Sequence, residues 1–260
     1  MAAVATRVLT PGQIAAFNRD GFIVLPDVLG DNFLSRLRAN LDDLLRNGVA
    51  TAAENADFSI ERADGATSIR KINNFIRYGE VWWELAAHPT ILGATRDLIG
   101  SEVRLHHTKL MVKPPYEGSA KEWHQDLASY APREEHPQLI AQGRAVTPED
   151  APLIAAQTYL DDSTPENGCL QFIPGSHTWG LLDAATLSRD EPLPGATVVE
   201  APARAGSVAL FHCMILHYSA PNLSPHPRRG PIVQYMPGPE DVRVPLKDNS
   251  GRVAGHGHRF

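Results

Sequence analysis

Apolar residues fall into two textures along the chain, and the boundary between them lies near Gly100. Before it they recur at helical spacing. Phe33, Leu34, Leu37, Leu41, Leu44 and Leu45 predict an amphipathic helix of about four turns that starts at Asp31 and stops at Gly48. Trp82, Leu85, Ile91, Leu92, Leu98 and Ile99 predict a second helical stretch across 78–100. Ahead of both, Thr10-Pro11-Gly12-Gln13 combines a capping threonine, a proline at the first helical position and a glutamine at capping-box spacing, so a short helix opens there and ends at Gly21. Phe22-Ile23-Val24-Leu25, bounded by Pro26, reads as a buried strand.

After Gly100 the pattern changes to short β-type runs punctuated by Pro and Gly, at 103–112, 155–160, 168–173, 197–201, 207–211, 215–219 and 231–236. Many short strands with turn signals between them predict a sandwich or barrel, and helices first with strands later predict an α+β layout with helices on one outer face of a β-core. A single domain over 1–260 is expected: a mainly helical scaffold to 100, the β-core over 101–237 and a tail over 238–260. Two polar stretches, 51–68 and 132–152, read as loops, the second long enough to form a lid.

Composition narrows the function classes. Lys+Arg of 24 against Asp+Glu of 30 gives a net charge of −6, so no partnership with nucleic acid or an anionic membrane is expected. Two cysteines, Cys169 and Cys213, make no disulfide framework or CxxC site, and neither a secretory signal nor a run of about 18 apolar residues is present. The expectation is a cytoplasmic protein, monomer or homodimer, acting on a small molecule.

The chemistry begins at His124-Gln125-Asp126, because residues two apart on a strand share a face and can offer an imidazole and a carboxylate to one ion. Alone, such a triplet arises easily by chance. His217, 91 positions beyond Asp126, follows an apolar strand and supplies a second imidazole. Two His and one carboxylate are the donors of the facial triad that leaves positions open on iron(II). Arg228, eleven residues after His217, is a planar, permanently charged group suited to anchoring a carboxylate. His212 and His226 compete with His217 by proximity alone.

In this order the segments DGFIVLPDVL, KPPYEGSAKEWHQD, LDDSTPENGCLQFIPGSH and GSVALFHCMILHYSAPNLSPHPRRG resemble the phytanoyl-CoA dioxygenase family of Fe(II)- and 2-oxoglutarate-dependent oxygenases, over most of the chain. The resemblance implies a double-stranded β-helix, a jelly-roll barrel with an open mouth. It implies that His124, Asp126 and His217 hold Fe(2+) and that Arg228 binds the far carboxylate of 2-oxoglutarate, with Ser219 donating its hydroxyl beside it. It also points to Lys71 and Lys109 near the cosubstrate, and to Gln157 where other members carry Trp. His217 alone has the Ser at +2, the Asn at +5 and the Arg at +11 of the family register. An intact Asp126 favours oxygen insertion over halogenation.

The expected activity is oxidation of an organic substrate, most often hydroxylation, coupled to conversion of 2-oxoglutarate and dioxygen (O2) into succinate and CO2. Basic residues occur only as scattered pairs, Arg70-Lys71 and Arg228-Arg229, so a free metabolite or natural-product intermediate is expected rather than a coenzyme A thioester. Rival readings are an acyl-CoA hydroxylase of the same chemistry, a non-catalytic metal-binding jelly-roll module and a zinc hydrolase.

Overall fold

Helix α1 (Pro11–Asp20) begins where the capping box foretells: Thr10 accepts from the Gln13 backbone amide, and the Gln13 side chain accepts from the Thr10 amide at 2.8 Å. Gly21 ends it in the left-handed region at φ 83°. The computed structural model describes residues 7–51, 55–63, 66–100, 103–129, 148, 152–182, 187, 195–238, 246–247 and 253–254.

Helix α2 (Asp31–Thr51) passes through Gly48 instead of stopping there. A Cβ at Gly48 would lie 2.6 Å from the Phe58 ring, so this glycine allows close packing and does not terminate the helix. The stretch expected as one helix over 78–100 divides into a 3-10 turn (Phe75–Tyr78), α3 (Glu80–Ala86) and α4 (Pro89–Ile99), because Pro89 starts a new helix. Leu37 and Leu41 of α2 are fully buried in the main core with Trp82 and Leu85. Each such side chain contributes about 1.5–3 kcal/mol.

The strands form two facing sheets. One joins β1 (Phe22–Leu25), β2 (Phe58–Ala63), β3 (Ala66–Asn73), β4 (Val103–Lys113), β6 (Ile154–Thr158), β9 (Val208–His212) and β11 (Arg228–Pro237) in the order β1-β9-β6-β11-β4-β3-β2. The other joins β5 (Lys121–His124), β7 (Leu170–Phe172), β8 (Val199–Ala201) and β10 (His217–Ser219) in the order β5-β10-β7-β8. All of their pairings are antiparallel, which gives the jelly-roll core expected of the chain.

The segment 51–68, expected to be a loop, instead carries β2 and the start of β3. This hairpin is the sheet edge. Phe58, Ile69 and Ile72 turn inward among Ser, Glu, Arg and Thr, so no apolar run marks it. The expected lid over 132–152 lies mostly outside the described residues, and the tail over 238–260 is described beyond Gly238 only at β12 (Leu246–Lys247) and β13 (Val253–Ala254), which pair with each other.

Register fixes which side chains face the second sheet. One row runs Asn73, Lys109, Ile232, Gln157, Ala209 and Val24, and neighbouring rows hold Lys71 with Met111 and Gly230, and His107 with Gln234, Ala155 and Phe211. The alternate positions, including Leu105, Leu110, Val233 and Tyr235, pack under the helices. The Tyr235 hydroxyl donates to the Ala86 carbonyl at 2.7 Å and ties α3 to the sheet.

Candidate functional site

His217 on β10 pairs directly with His124 on β5, so the antiparallel register brings together two imidazoles 93 positions apart. Their ring centroids lie 4.1 Å apart. The His124 Nδ1 meets the Glu122 carbonyl at 2.7 Å and the His217 Nδ1 meets the Ile215 carbonyl at 3.0 Å. A carbonyl only accepts, so both Nδ1 atoms carry the proton and both Nε2 lone pairs are left for another partner. Those Nε2 atoms lie 3.5 Å and 4.0 Å from Asp126 Oδ1. Asp126 opens the short helix α5 (Asp126–Ser129).

One ligand atom from each of His124, Asp126 and His217 falls within 4.8 Å of the others, the spacing of a site that could hold one metal ion. Burial holds His217 neutral, lowering it to about 3 with further help from His124. Burial alone would raise the Asp126 carboxyl, but Lys109, His124 and His217 hold it well below the ordinary carboxylate range. His217 and Asp126 are therefore unprotonated at neutral pH, as a metal requires.

Several groups fix these donors. Gln234 Nε2 donates to Asp126 Oδ2 at 2.9 Å, leaving Oδ1 turned to the imidazoles. Gln125, between the two ligands of the H-x-D triplet, donates to the Gly180 and Met214 carbonyls and accepts from the Leu182 amide. Trp123 stacks on Tyr218 at 5.4 Å, so the residue beside each imidazole is packed on the outer face. His212, the competing candidate, is buried at the end of β9 with its Nδ1 accepting from the Met214 amide.

Arg228 is buried on the same interior face. Its Nε donates to Ser163 Oγ and its Nη1 to Ser219 Oγ, each at 3.1 Å. Its Nη2 has no hydrogen-bond partner among the described residues, and neither does the buried Tyr159 hydroxyl. The two groups act on each other electrostatically, and burial raises Tyr159. A buried guanidinium with an unused N–H beside an unused hydroxyl fits a carboxylate ligand. Ser219 Oγ donates to the Gly168 carbonyl at 2.8 Å as well as accepting from Arg228. Gly168 is required there: φ is 77° and a Cβ would sit 2.1 Å from the Ala220 carbonyl oxygen.

Lys113, opposite Arg228 in register and fully buried, donates to the Ser219 carbonyl at 3.1 Å and to that of Ala220. Burial, then Arg228, pushes it down to about 6. Lys109 donates to Asp126 Oδ1 at 2.6 Å. Lys71 faces the interior opposite Met111, and Gln157 is buried against Gly230 between Ile232 and Ala209. All eight residues singled out from the sequence thus line one interior. Tyr159, Gln234, Ser163 and Lys113 were not singled out, although two-residue alternation from Gln157, Arg228 and Lys109 reaches the first, second and fourth.

The family model for phytanoyl-CoA dioxygenase (PhyH) matches residues 17–230. The chain is 28% identical over 245 residues to an ectoine dioxygenase of Sphingopyxis alaskensis, covering 86% of this chain and 74% of that protein. It is 26% identical to an L-proline trans-4-hydroxylase of Streptomyces griseoviridis, covering 84% and 83%. The crystal structure of EctD from S. alaskensis with 2-oxoglutarate and 5-hydroxyectoine superposes with a TM-score of 0.73 at 27% identity, over 92% of this chain and 79% of that one. The form of EctD with bound Fe gives 0.70 at 28% identity, over 89% and 78%.

Proposed function

The chain belongs to the phytanoyl-CoA dioxygenase family, and from that membership we propose how its residues divide the work of an Fe(II)- and 2-oxoglutarate-dependent dioxygenase. The protein is such an enzyme, and it hydroxylates a small molecule. When bound, iron and cosubstrate supply the oxidising power: 2-oxoglutarate, dioxygen and substrate become succinate, CO2 and hydroxylated product.

In this reading His124, Asp126 and His217 are the three protein ligands of iron. The Nδ1–H bonds to Glu122 and Ile215 hold the imidazoles in the ligating tautomer, and Gln234 holds the carboxylate. Arg228 binds the far carboxylate of 2-oxoglutarate through the N–H that its serine partners leave unused, with the Tyr159 hydroxyl beside it. Ser219, whose hydroxyl proton goes to the Gly168 carbonyl and not, as expected, to the cosubstrate, orients Arg228 by accepting from Nη1, and Lys113 holds the Ser219 carbonyl. Lys71, Lys109 and Gln157 line the remaining wall near the cosubstrate.

The observation that carries the reading is the buried, incompletely satisfied Arg228 on the interior face shared with the three donors. A metal-storing module or a zinc hydrolase has no use for a desolvated guanidinium there, because a buried charge without its counter-ion is costly. A free small molecule as substrate, with no polyanionic partner, accords with the net charge of −6. Among the described residues no helix is long and apolar enough to cross a membrane. Succinate formation that requires Fe(II), 2-oxoglutarate and an organic substrate tests the reading, and its absence from Fe(II)-loaded protein across a screen of small-molecule substrates overturns it.

A further inference from the structure

The expectation of scattered basic pairs does not survive folding. Lys71 on β3, Lys109 on β4 and Lys121 at the start of β5 converge on the metal-donor cluster from three different strands. Lys71 and Lys109 share the interior face of the large sheet, in adjacent rows. Lys121 pairs with Ser219, and the irregularity between that pair and His217–His124 turns both Lys121 and His124 toward the interior. Its chain neighbour Glu122 falls on the alternate face.

The ammonium groups feel one another. Burial lowers Lys71, and Lys109 and Lys121 push it further the same way. Burial also lowers Lys121, again with Lys109 next, against the opposite pull of Asp126. Gathering like charges in a partly buried wall is unfavourable unless an anion is to be placed among them.

Charge balance sharpens the point. Lys109 is matched by Asp126 at 2.6 Å, and iron(II) is matched by the dianion of 2-oxoglutarate. Arg228, Lys71 and Lys121 then remain as an excess of about three positive charges, with no carboxylate within ion-pair distance of Lys71, Lys121 or Arg228 among the described residues. Arg228 and Lys71 are already assigned to the cosubstrate. Lys121 is the most exposed of the three lysines and is assigned to nothing.

We propose that the substrate is a free carboxylic acid whose carboxylate is held by Lys121 at the rim of the metal site. This rests on the dioxygenase reading above. A coenzyme A thioester does not meet the requirement: its reacting end has no carboxylate, and its phosphates lie a whole pantetheine arm away from the acyl carbons. Lys121 is a substrate-orienting group that sets which C–H bond faces the metal.

The test uses protein loaded with Fe(II) and saturating 2-oxoglutarate without oxygen, titrated calorimetrically with a series of aliphatic and aryl-substituted monocarboxylic acids and the primary amide of each. Acids should bind about tenfold or more tightly than their amides, the loss expected for a hydrogen bond to a charged group. In Lys121→Gln the acids should fall to the level of the amides, while Lys121→Arg should keep most of the preference. Equal binding of acid and amide in the natural protein, no acid binding anywhere in the series, or an intact preference in Lys121→Gln would each overturn the proposal. So would a parallel loss of 2-oxoglutarate affinity in that variant, which would move the lysine to the cosubstrate. Succinate formation after dioxygen is admitted to the same preparation reports separately on the dioxygenase reading: normal formation without acid preference sinks only the carboxylate proposal.

Discussion

Arg228→Gln isolates the cosubstrate anchor. The guanidinium uses Nε and Nη1 on Ser163 and Ser219, which leaves Nη2 as the donor available to a carboxylate. A hydrogen bond to a charged partner is worth about 1.5–3 kcal/mol, which corresponds to a rise of about 10- to 100-fold in the 2-oxoglutarate requirement. Burial favours the upper part of that range, since the surrounding medium screens the pair poorly. Iron affinity should hold, because the contacts of Arg228 are to the two serines and to none of the three donor side chains. Metal-free stability should fall by no more than about 1 kcal/mol, since the substitution removes a desolvated charge together with its two serine bonds. Arg228→Lys should recover only part of the loss, because an ammonium cannot span both serines and the ligand as a planar fork does. The assay is KM for 2-oxoglutarate in succinate formation, with Kd from anaerobic calorimetry and iron affinity measured alongside. An unchanged KM and Kd in Arg228→Gln would refute the anchor and move attention to Lys71.

Gln234→Leu should weaken Fe(II) binding about 10- to 100-fold with little loss of fold, because Asp126 Oδ2 loses the amide that orients it; equilibrium competition with a chelator measures this. The metal-free protein should lose stability as pH falls from about 6.5 toward 3. Burial lowers His217 and His107 to about 3, so the unfolded chain binds protons there that the folded one does not, and denaturant midpoints across that window check the sign. A fatty or aryl acid should support more succinate formation than its coenzyme A thioester, and strict dependence on the thioester would contradict the free-acid assignment.

The parts of the molecule legible in its sequence are those set by local chemistry or short spacing. The Thr10–Gln13 capping box forms as read, and His124, His217 and Arg228 occupy one interior because strand register and alternation place them there. Asp126, expected to share the strand face of His124, instead reaches that interior from the first turn of α5 just past the end of β5. The β2–β3 hairpin was illegible because an edge hairpin with polar residues on its open face has no apolar run, and Gly48 misled because space for the Phe58 ring, not a helix end, selects it. The lysine cluster is the sharper case. Lys71 and Lys109 lie 38 positions apart and Lys121 a further 12 on, and only the pairing of β3 with β4 and the packing of β5 opposite them bring the three together. Tyr159 reads as core until Arg228 is seen beside its unpartnered hydroxyl.

The most direct measurement compares succinate formation by the natural protein, His217→Ala and His212→Ala, each supplied with Fe(II), 2-oxoglutarate, dioxygen and an organic acid that supports turnover by the natural protein. The account predicts succinate from the natural protein only when both Fe(II) and 2-oxoglutarate are present, loss of it in His217→Ala with the fold intact by circular dichroism, and its retention in His212→Ala. Full activity in His217→Ala with loss in His212→Ala would contradict the metal site drawn here.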